Sequence, residues 1–169
     1  MENLELVIGM TNIDPKLNTN IKKYIYAKKH KWKKDLNNVK ALTSGFNPRY
    51  NFFNELYDFS YKILKKNTKE EWQKSCWWAS YYNKSNYCLP HCHEPEILSS
   101  ILIVKASSEN PLYFLHKGKK HIIEEKDGMI LYFNSSATHG VEKCKNTRIT
   151  CALDFVRKEP NENTKRDGR

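Results

Sequence analysis

Residues 97–133 read ILSSILIVKASSENPLYFLHKGKKHIIEEKDGMILYF, a succession of short apolar runs. Turn-forming residues separate the runs at 107–111, 117–119 and 126–128. Similar segments flank this stretch on both sides. The predicted strands are 76–82, 97–105, 111–116, 121–125, 129–133 and 147–156. Short strands at this spacing are typical of a sandwich, barrel or jelly roll.

The residues before this stretch predict helices. The alternating apolar residues within 1–13 suggest an edge strand, and Asp14-Pro15 then forms an N-cap followed by proline at the first helical position. A second amphipathic helix is predicted from about 51 to 66. We expect one domain at 1–157, with helices at about 15–66 and a β core at about 74–157, followed by a disordered tail at 158–169.

The net charge of the 169-residue chain is +10, which is compatible with a nucleic-acid partner. However, only five of the 29 basic residues are Arg, and the lysine clusters near the N-terminus favour a solvated helical face. No run of eighteen apolar residues predicts a membrane span, and the N-terminus lacks the basic region of a signal peptide. We therefore expect a cytoplasmic protein.

The five cysteines form no CxxC pair, and their odd number argues against a complete disulfide framework. Reduced, partly buried thiols are the simplest interpretation. A zinc site that uses Cys88 and Cys92 with His91 or His93 is the alternative.

Three histidines form a candidate metal site. His91 and His93 are two residues apart, so on extended backbone both side chains point to the same face, while Cys92 points away. His139 follows an apolar strand and can complete a facial triad. Neutral imidazoles suit Fe, Zn, Cu or Ni.

Arg148 lies in a predicted strand that places Arg148, Thr150 and Ala152 on one face. If that face is turned toward the metal, the guanidinium can bind a carboxylate bidentately, and the Thr150 hydroxyl is a further donor. The opposite interpretation is that Arg148 is simply exposed to solvent. Among the aromatic residues before the histidines, Trp78 and Tyr82 share a face, and Tyr82 could donate its hydroxyl to the same carboxylate.

Residues from about 77 to 155 resemble the 2-oxoglutarate/Fe(II)-dependent oxygenases of bacteria and phages, which are relatives of the prolyl hydroxylases. The resemblance covers almost half of the chain, and its parts occur in the family's order. The matching residues are Trp78, Tyr82, 90–95, 98–101, 128–133, 138–141 and 148–150.

The resemblance implies a mainly β fold, a double-stranded β-helix or jelly roll with helices packed outside. It also implies that His91, His93 and His139 bind Fe(II) and that Arg148 binds the far carboxylate of 2-oxoglutarate. Thr150, on the same strand face, is expected as a further donor, and Tyr82 could donate its hydroxyl to 2-oxoglutarate if its face points inward. Such enzymes convert 2-oxoglutarate and O₂ to succinate and CO₂ while they hydroxylate a C–H bond. The relatives favour a peptide or protein side chain as primary substrate, whereas the positive charge weakly favours nucleic acid.

The sequence departs from the superfamily at one position. The second metal ligand is usually Asp or Glu, but here it is His93. Glu94 is the reserve candidate, although extended backbone points Glu94 and Glu96 away from the histidine face. Two other functions stay open: a cupin-like three-histidine metal enzyme that uses no 2-oxo acid, and a basic binding module without catalytic activity.

Overall fold

The computed structural model describes residues 7–35, 37–93 and 97–158. Over these residues the chain forms two α-helices, α1 (Pro15–Lys28) and α2 (Phe52–Asn67), and twelve β-strands. The strands are β1 (Val7–Asn12), β2 (Lys33–Lys34), β3 (Val39–Lys40), β4 (Leu42–Thr43), β5 (Trp72–Tyr82), β6 (Tyr87–His91), β7 (Ile97–Lys105), β8 (Leu112–His116), β9 (Lys119–Ile122), β10 (Met129–Asn134), β11 (His139–Val141) and β12 (Arg148–Arg157).

The strands form two antiparallel sheets. The larger has the order β1-β10-β7-β12-β5-β4-β2, and the smaller has the order β3-β6-β11-β8-β9. Strands that are distant in sequence are neighbours in both sheets, as in the predicted jelly roll. The prediction of a mainly β fold with flanking helices is therefore confirmed.

Two apolar clusters stabilise this arrangement. The first lies between the helices and the outer face of the larger sheet, where α1 contributes Ile21 and Ile25 and α2 contributes Phe53, Leu56 and Leu64. The second lies between the two sheets. Its buried members come from both sheets and include Ile103, Leu112, Phe114, Leu131, Phe133 and Val141. The helices thus cover the outer face of the larger sheet, and its inner face lines the space between the two sheets.

The start of α1 agrees with the sequence. The side chain of Asp14 accepts hydrogen bonds from the backbone N–H groups of Lys16 (2.9 Å) and Leu17 (3.0 Å), and Pro15 is the first helical residue. A cap of this kind contributes about 1 kcal/mol to stability. None of the helices over the described ranges combines the length and the apolarity needed to cross a lipid bilayer.

The hairpin of β8 and β9 differs from its prediction. His116 pairs with Lys119, so only Lys117 and Gly118 form the turn, and both have positive φ angles (48° and 73°). A two-residue turn of this type matches the twist of the paired strands. The strand expected at 121–125 therefore begins two residues earlier and ends at Ile122, which leaves Glu125 in the loop before β10.

Gly140 is required by close packing next to His139. A Cβ atom at this position would lie 2.6 Å from the hydroxyl oxygen of Tyr113 and 3.1 Å from the carbonyl oxygen of Cys88. We predict that Gly140→Ala lowers the free energy of unfolding by about 1–3 kcal/mol, because the Tyr113 ring and the backbone at Cys88 must shift to admit the Cβ atom. Urea denaturation of the metal-free protein measures this change.

Gly9 is the matched control. It also lies in a strand, but a Cβ atom there meets no other atom within 4 Å. Gly9→Ala should leave stability unchanged or raise it slightly. Equal stability of the two variants would contradict the packing that places Gly140 between its neighbours.

Candidate metal centre

Strand pairing brings His91 and His139 together. His139, the first residue of β11, pairs with His91, the last residue of β6, and their ring centroids are 4.4 Å apart. Strand β6 begins at Tyr87, so Pro90 lies within the strand, one residue before its end. The register shifts between this pair and the pair of Val141 with Cys88, and a bulge of this kind tolerates a proline that cannot donate to the ladder.

His93 completes the group from just beyond the end of β6. Its backbone N–H donates to the carbonyl oxygen of Ser135 (2.8 Å), which holds this segment against the loop before β11. The ring centroid of His93 is 5.3 Å from that of His91 and 5.4 Å from that of His139. The three rings therefore converge, as the two-residue spacing and the position of His139 predict.

Each histidine uses its Nδ1 atom for a contact within the protein. Nδ1 of His91 lies 2.9 Å from the carbonyl oxygen of Leu89, and Nδ1 of His139 lies 2.9 Å from that of Ala137. Nδ1 of His93 lies 3.1 Å from a carboxylate oxygen of Asp154. Carbonyl oxygens accept hydrogen bonds, so Nδ1 carries the proton in His91 and His139. Nδ1 of His93 also lies 3.1 Å from the Ser99 hydroxyl, which donates its own proton to Asp154, so Nδ1 is the donor in this ring as well. The Nε2 lone pairs remain for a ligand.

The donor set fits a divalent transition metal. One ring nitrogen from each of the three histidines lies within 4.8 Å of the others, so a small rotation of the rings can place them around an ion about 2.1 Å from each. Burial, with a further effect from His91, lowers the pKa of His139 to about 3. Burial also lowers the pKa of His91. Both imidazoles are therefore neutral at ordinary pH, which is the form that binds metal.

The cysteines do not join this group. Burial raises the pKa of Cys88 to about 12, so the thiolate that a zinc site needs is disfavoured, and Cys92 is exposed. Within the described ranges, the three histidines are the only set of at least three potential ligands close enough to hold one ion. Glu94 and Glu96, the alternative second ligands, lie outside the described residues.

An inner cavity connects the histidines to strand β12. Alternation along β12 turns Arg148, Thr150 and Ala152 toward this cavity, whereas Ile149 and Cys151 pack in the helix-side core. Alternation along β5 likewise turns Trp78 and Tyr82 inward. The cavity thus brings together the six residues proposed from the sequence, which are His91, His93, His139, Tyr82, Arg148 and Thr150.

Arg148 forms a buried ion pair that the sequence did not predict. Its Nε donates to both carboxylate oxygens of Glu125 (2.9 and 3.0 Å), and its Nη2 donates to one of them (2.7 Å). Only 1% of the Arg148 side chain and none of the Glu125 side chain is exposed. Burial alone would lower the pKa of the Arg148 guanidinium, but the charge and hydrogen bonds of Glu125 outweigh it and raise that pKa.

The ion pair with Glu125 determines which nitrogen of Arg148 is left to bind a carboxylate of 2-oxoglutarate. Arg148 lines the inner cavity, whereas Glu125 does not. Glu125 contacts Nε and Nη2 of Arg148, and no described acceptor contacts Nη1. Nη1 therefore remains for a carboxylate. The hydroxyls of Thr150 and Tyr82 lie on the same wall. The donors therefore fit a dicarboxylate. The cavity volume is about 40 Å³, which holds about three waters, and the cavity adjoins a larger pocket at the histidines.

A second pocket opens on the other side of the histidines. Its volume is about 330 Å³, and it shares His91, His93, Val39, Trp78 and Asp154 with the inner cavity. Its other described lining residues are Asp35, Asn37, Asn38, Thr43, Gly45, Phe46, Cys76 and Cys92. No Lys or Arg is among them, in contrast to the charge of the whole chain.

Solved structures of other proteins share the fold of this chain. A prolyl-4-hydroxylase from Pseudomonas putida matches with a TM-score of 0.70 and 11% identity, covering 90% of this chain and 92% of that one. The chain has the fold of the 2-oxoglutarate/Fe(II) oxygenases. No protein family and no curated protein matches it in sequence.

Two further oxygenases show the same likeness. A prolyl hydroxylase from Trichoplax adhaerens, in complex with a peptide fragment of the hypoxia inducible factor, matches with a TM-score of 0.73 and 10% identity (88% of this chain, 82% of that one). A viral collagen prolyl hydroxylase from Paramecium Bursaria Chlorella virus-1, in complex with 2-oxoglutarate, matches with a TM-score of 0.66 and 10% identity (88% and 95%). All three matches extend over most of both chains, so the fold corresponds as a whole.

Sequence reasoning missed Glu125, Asp154 and Ser99. The inward direction of Asp154 could have been predicted from the sequence, because alternation places it on the same face of β12 as Arg148 and Thr150. No sequence pattern predicts the role of Glu125, since a loop residue shows no periodicity.

We predict that Glu125→Ala lowers the free energy of unfolding by about 3–5 kcal/mol, because it leaves the Arg148 guanidinium buried without a partner. Replacing both residues, Glu125→Leu with Arg148→Leu, should recover much of that loss. Urea denaturation of the metal-free variants measures both effects.

Glu142→Ala is the control, because Glu142 pairs with Lys120 where both side chains are about half exposed. Its unfolding midpoint should stay close to that of the unmodified protein. An equally small effect of Glu125→Ala would contradict the buried pair.

Proposed function

We propose that this protein is a non-haem Fe(II) and 2-oxoglutarate-dependent dioxygenase that hydroxylates a C–H bond. The observation that carries the proposal is the convergence of three imidazoles and one guanidinium on a single cavity. The fold shared with prolyl hydroxylases supports it.

Each part of the chain has a role in this proposal. His91, His93 and His139 hold the iron on one face, which leaves the opposite positions for cosubstrate and O₂. Arg148, through Nη1, binds the far carboxylate of 2-oxoglutarate, with Thr150 and Tyr82 as hydroxyl donors. When bound, the iron and 2-oxoglutarate supply the oxidative chemistry, which yields succinate and CO₂.

Apolar side chains surround the buried histidine, His139. Leu112, Phe133 and Val141 line the inner cavity beside His139, and all three belong to the core between the sheets. An apolar wall of this kind strengthens the hydrogen bonds and charge interactions inside the site and protects a reactive centre from side reactions.

The outer pocket is the proposed binding site for the primary substrate. Recognition of a nucleic acid rests on Lys and Arg contacts to phosphates, and none of the described residues that line this pocket is basic. Aromatic, amide and carboxylate side chains line it instead, among them Trp78, Phe46 and Asn38. We therefore favour a peptide or protein side chain over a nucleic acid, in keeping with the peptide bound by the Trichoplax enzyme.

One observation favours a second function. Glu125 neutralises Arg148 and the inner cavity is small, so a three-histidine metal enzyme that uses no 2-oxo acid has structural support. A basic binding module has less structural support, because incidental histidines would not present three Nε2 atoms to one point.

Succinate formation separates the two metal enzymes. With Fe(II), ascorbate and O₂, the unmodified protein should convert 2-oxoglutarate to succinate even without a primary substrate, at a slow uncoupled rate. The double variant Arg148→Gln with Glu125→Gln removes both charges, so no buried charge is left without a partner. It should raise the KM for 2-oxoglutarate by at least about tenfold, since one charge-assisted hydrogen bond contributes about 1.5–3 kcal/mol.

The same variant should bind Fe(II) as tightly as the unmodified protein, because Arg148 does not touch the metal. No succinate from the iron-loaded protein, together with no 2-oxoglutarate binding at millimolar concentration, would overturn the dependence on 2-oxoglutarate. Metal-dependent turnover that is unchanged in the double variant would favour the second function.

A further inference from the structure

His93 differs from the other two histidines in the group that holds its Nδ1 atom. Backbone carbonyl oxygens contact Nδ1 of His91 and of His139. Nδ1 of His93 instead lies 3.1 Å from a carboxylate oxygen of Asp154. Among the three ring contacts described, this one alone brings a formal negative charge to the metal centre.

Asp154 is fixed by its own partners. It lies on β12 opposite Ser99 of β7, and the Ser99 hydroxyl donates to its other carboxylate oxygen at 2.7 Å. The same hydroxyl lies 3.1 Å from Nδ1 of His93. Asp154 is 7% exposed and Ser99 is 1% exposed, so solvent provides little stabilisation for the carboxylate charge.

The charge of this carboxylate requires a nearby positive group. A buried carboxylate is stable only when it is paired and hydrogen-bonded. The one ion-pair partner of Asp154 among the described residues is His93, and no Lys or Arg contacts it. A metal ion on Nε2 of His93 would supply the missing positive charge through the ring.

We infer that Asp154 is a positioning residue that acts on the metal through His93. This inference rests on the proposed metal function. Most enzymes of this kind place a carboxylate directly on the iron, whereas His93 occupies that position here. Asp154 restores the negative charge behind the His93 ring, where it lies 3.1 Å from Nδ1 and is also linked to Nδ1 through the Ser99 hydroxyl. A carboxylate in this position fixes the Nδ1–H tautomer of His93 and increases the basicity of its Nε2.

The first test measures metal affinity by anaerobic calorimetric titration with Co(II). Asp154→Asn should weaken Co(II) binding about 10- to 100-fold, as is typical for loss of a carboxylate behind a metal-bound histidine. Asp58→Asn is the control for a lost negative charge, because Asp58 is exposed on α2, and it should bind Co(II) like the unmodified protein.

A double-mutant cycle separates an effect through His93 from a general effect of charge. His93→Asp places a carboxylate directly on the metal and removes the ring that Asp154 orients. In that background, Asp154→Asn should change the Co(II) affinity by less than about threefold. An unchanged affinity of Asp154→Asn alone would overturn the inference, as would an equal loss in both backgrounds.

A second measurement needs no variant. In ¹H–¹⁵N spectra of the Zn(II)-loaded protein, Nδ1 of His93 should carry a proton farther downfield than those of His91 and His139, because the Asp154 carboxylate lies 3.1 Å from it and the contacting Ser99 hydroxyl is itself bound to that carboxylate. Coordination of Zn(II) through Nδ1 of His93 would overturn the inference. Failure of the unmodified protein to bind any divalent metal would instead overturn the proposed function.

Discussion

The pairing of His139 with His91 is the constraint on which the rest of the site depends. These residues belong to two short strands of the smaller sheet, and a shift of one residue would turn one of the two rings to the opposite face. Gly140 allows the close approach of these strands, since a side chain there would meet Tyr113 and the backbone of Cys88. The geometry of the metal centre is therefore a property of the sheet register rather than of a flexible loop.

Strand β12 contributes both to the metal centre and to the packing of the core. Its outward residues, among them Ile149 and Leu153, pack against the helices, while its inward residues present Arg148, Thr150 and Asp154 to the cavity. It lies between β7 and β5 in the larger sheet. Both charged groups on its inner face have partners from elsewhere in the chain, the buried Glu125 and the partly buried His93. The polar groups of the site are thus held rigidly by the core.

Local rules of backbone geometry predicted much of this from the sequence. Period-two alternation placed His91 with His93, Arg148 with Thr150, and Trp78 with Tyr82, and the Asp14 cap marked the start of α1. The partners of these residues could not be predicted in the same way. Glu125 and Arg148 are 23 residues apart in sequence, and their contact depends on a hairpin turn that shifts β9 and frees the loop after it. The contact of Asp154 with His93 depends on how the two sheets face each other, since β12 belongs to the larger sheet and His93 follows β6 of the smaller one.

Anomalous diffraction from a crystal grown anaerobically with Mn(II) and 2-oxoglutarate would locate the metal among its ligands. We expect one Mn(II) peak about 2.2 Å from Nε2 of each of His91, His93 and His139. We also expect the far carboxylate of the bound 2-oxoglutarate to contact Nη1 of Arg148. A peak bound by Cys88 or Cys92, or the absence of any peak among the three rings, would contradict a metal centre built from these histidines.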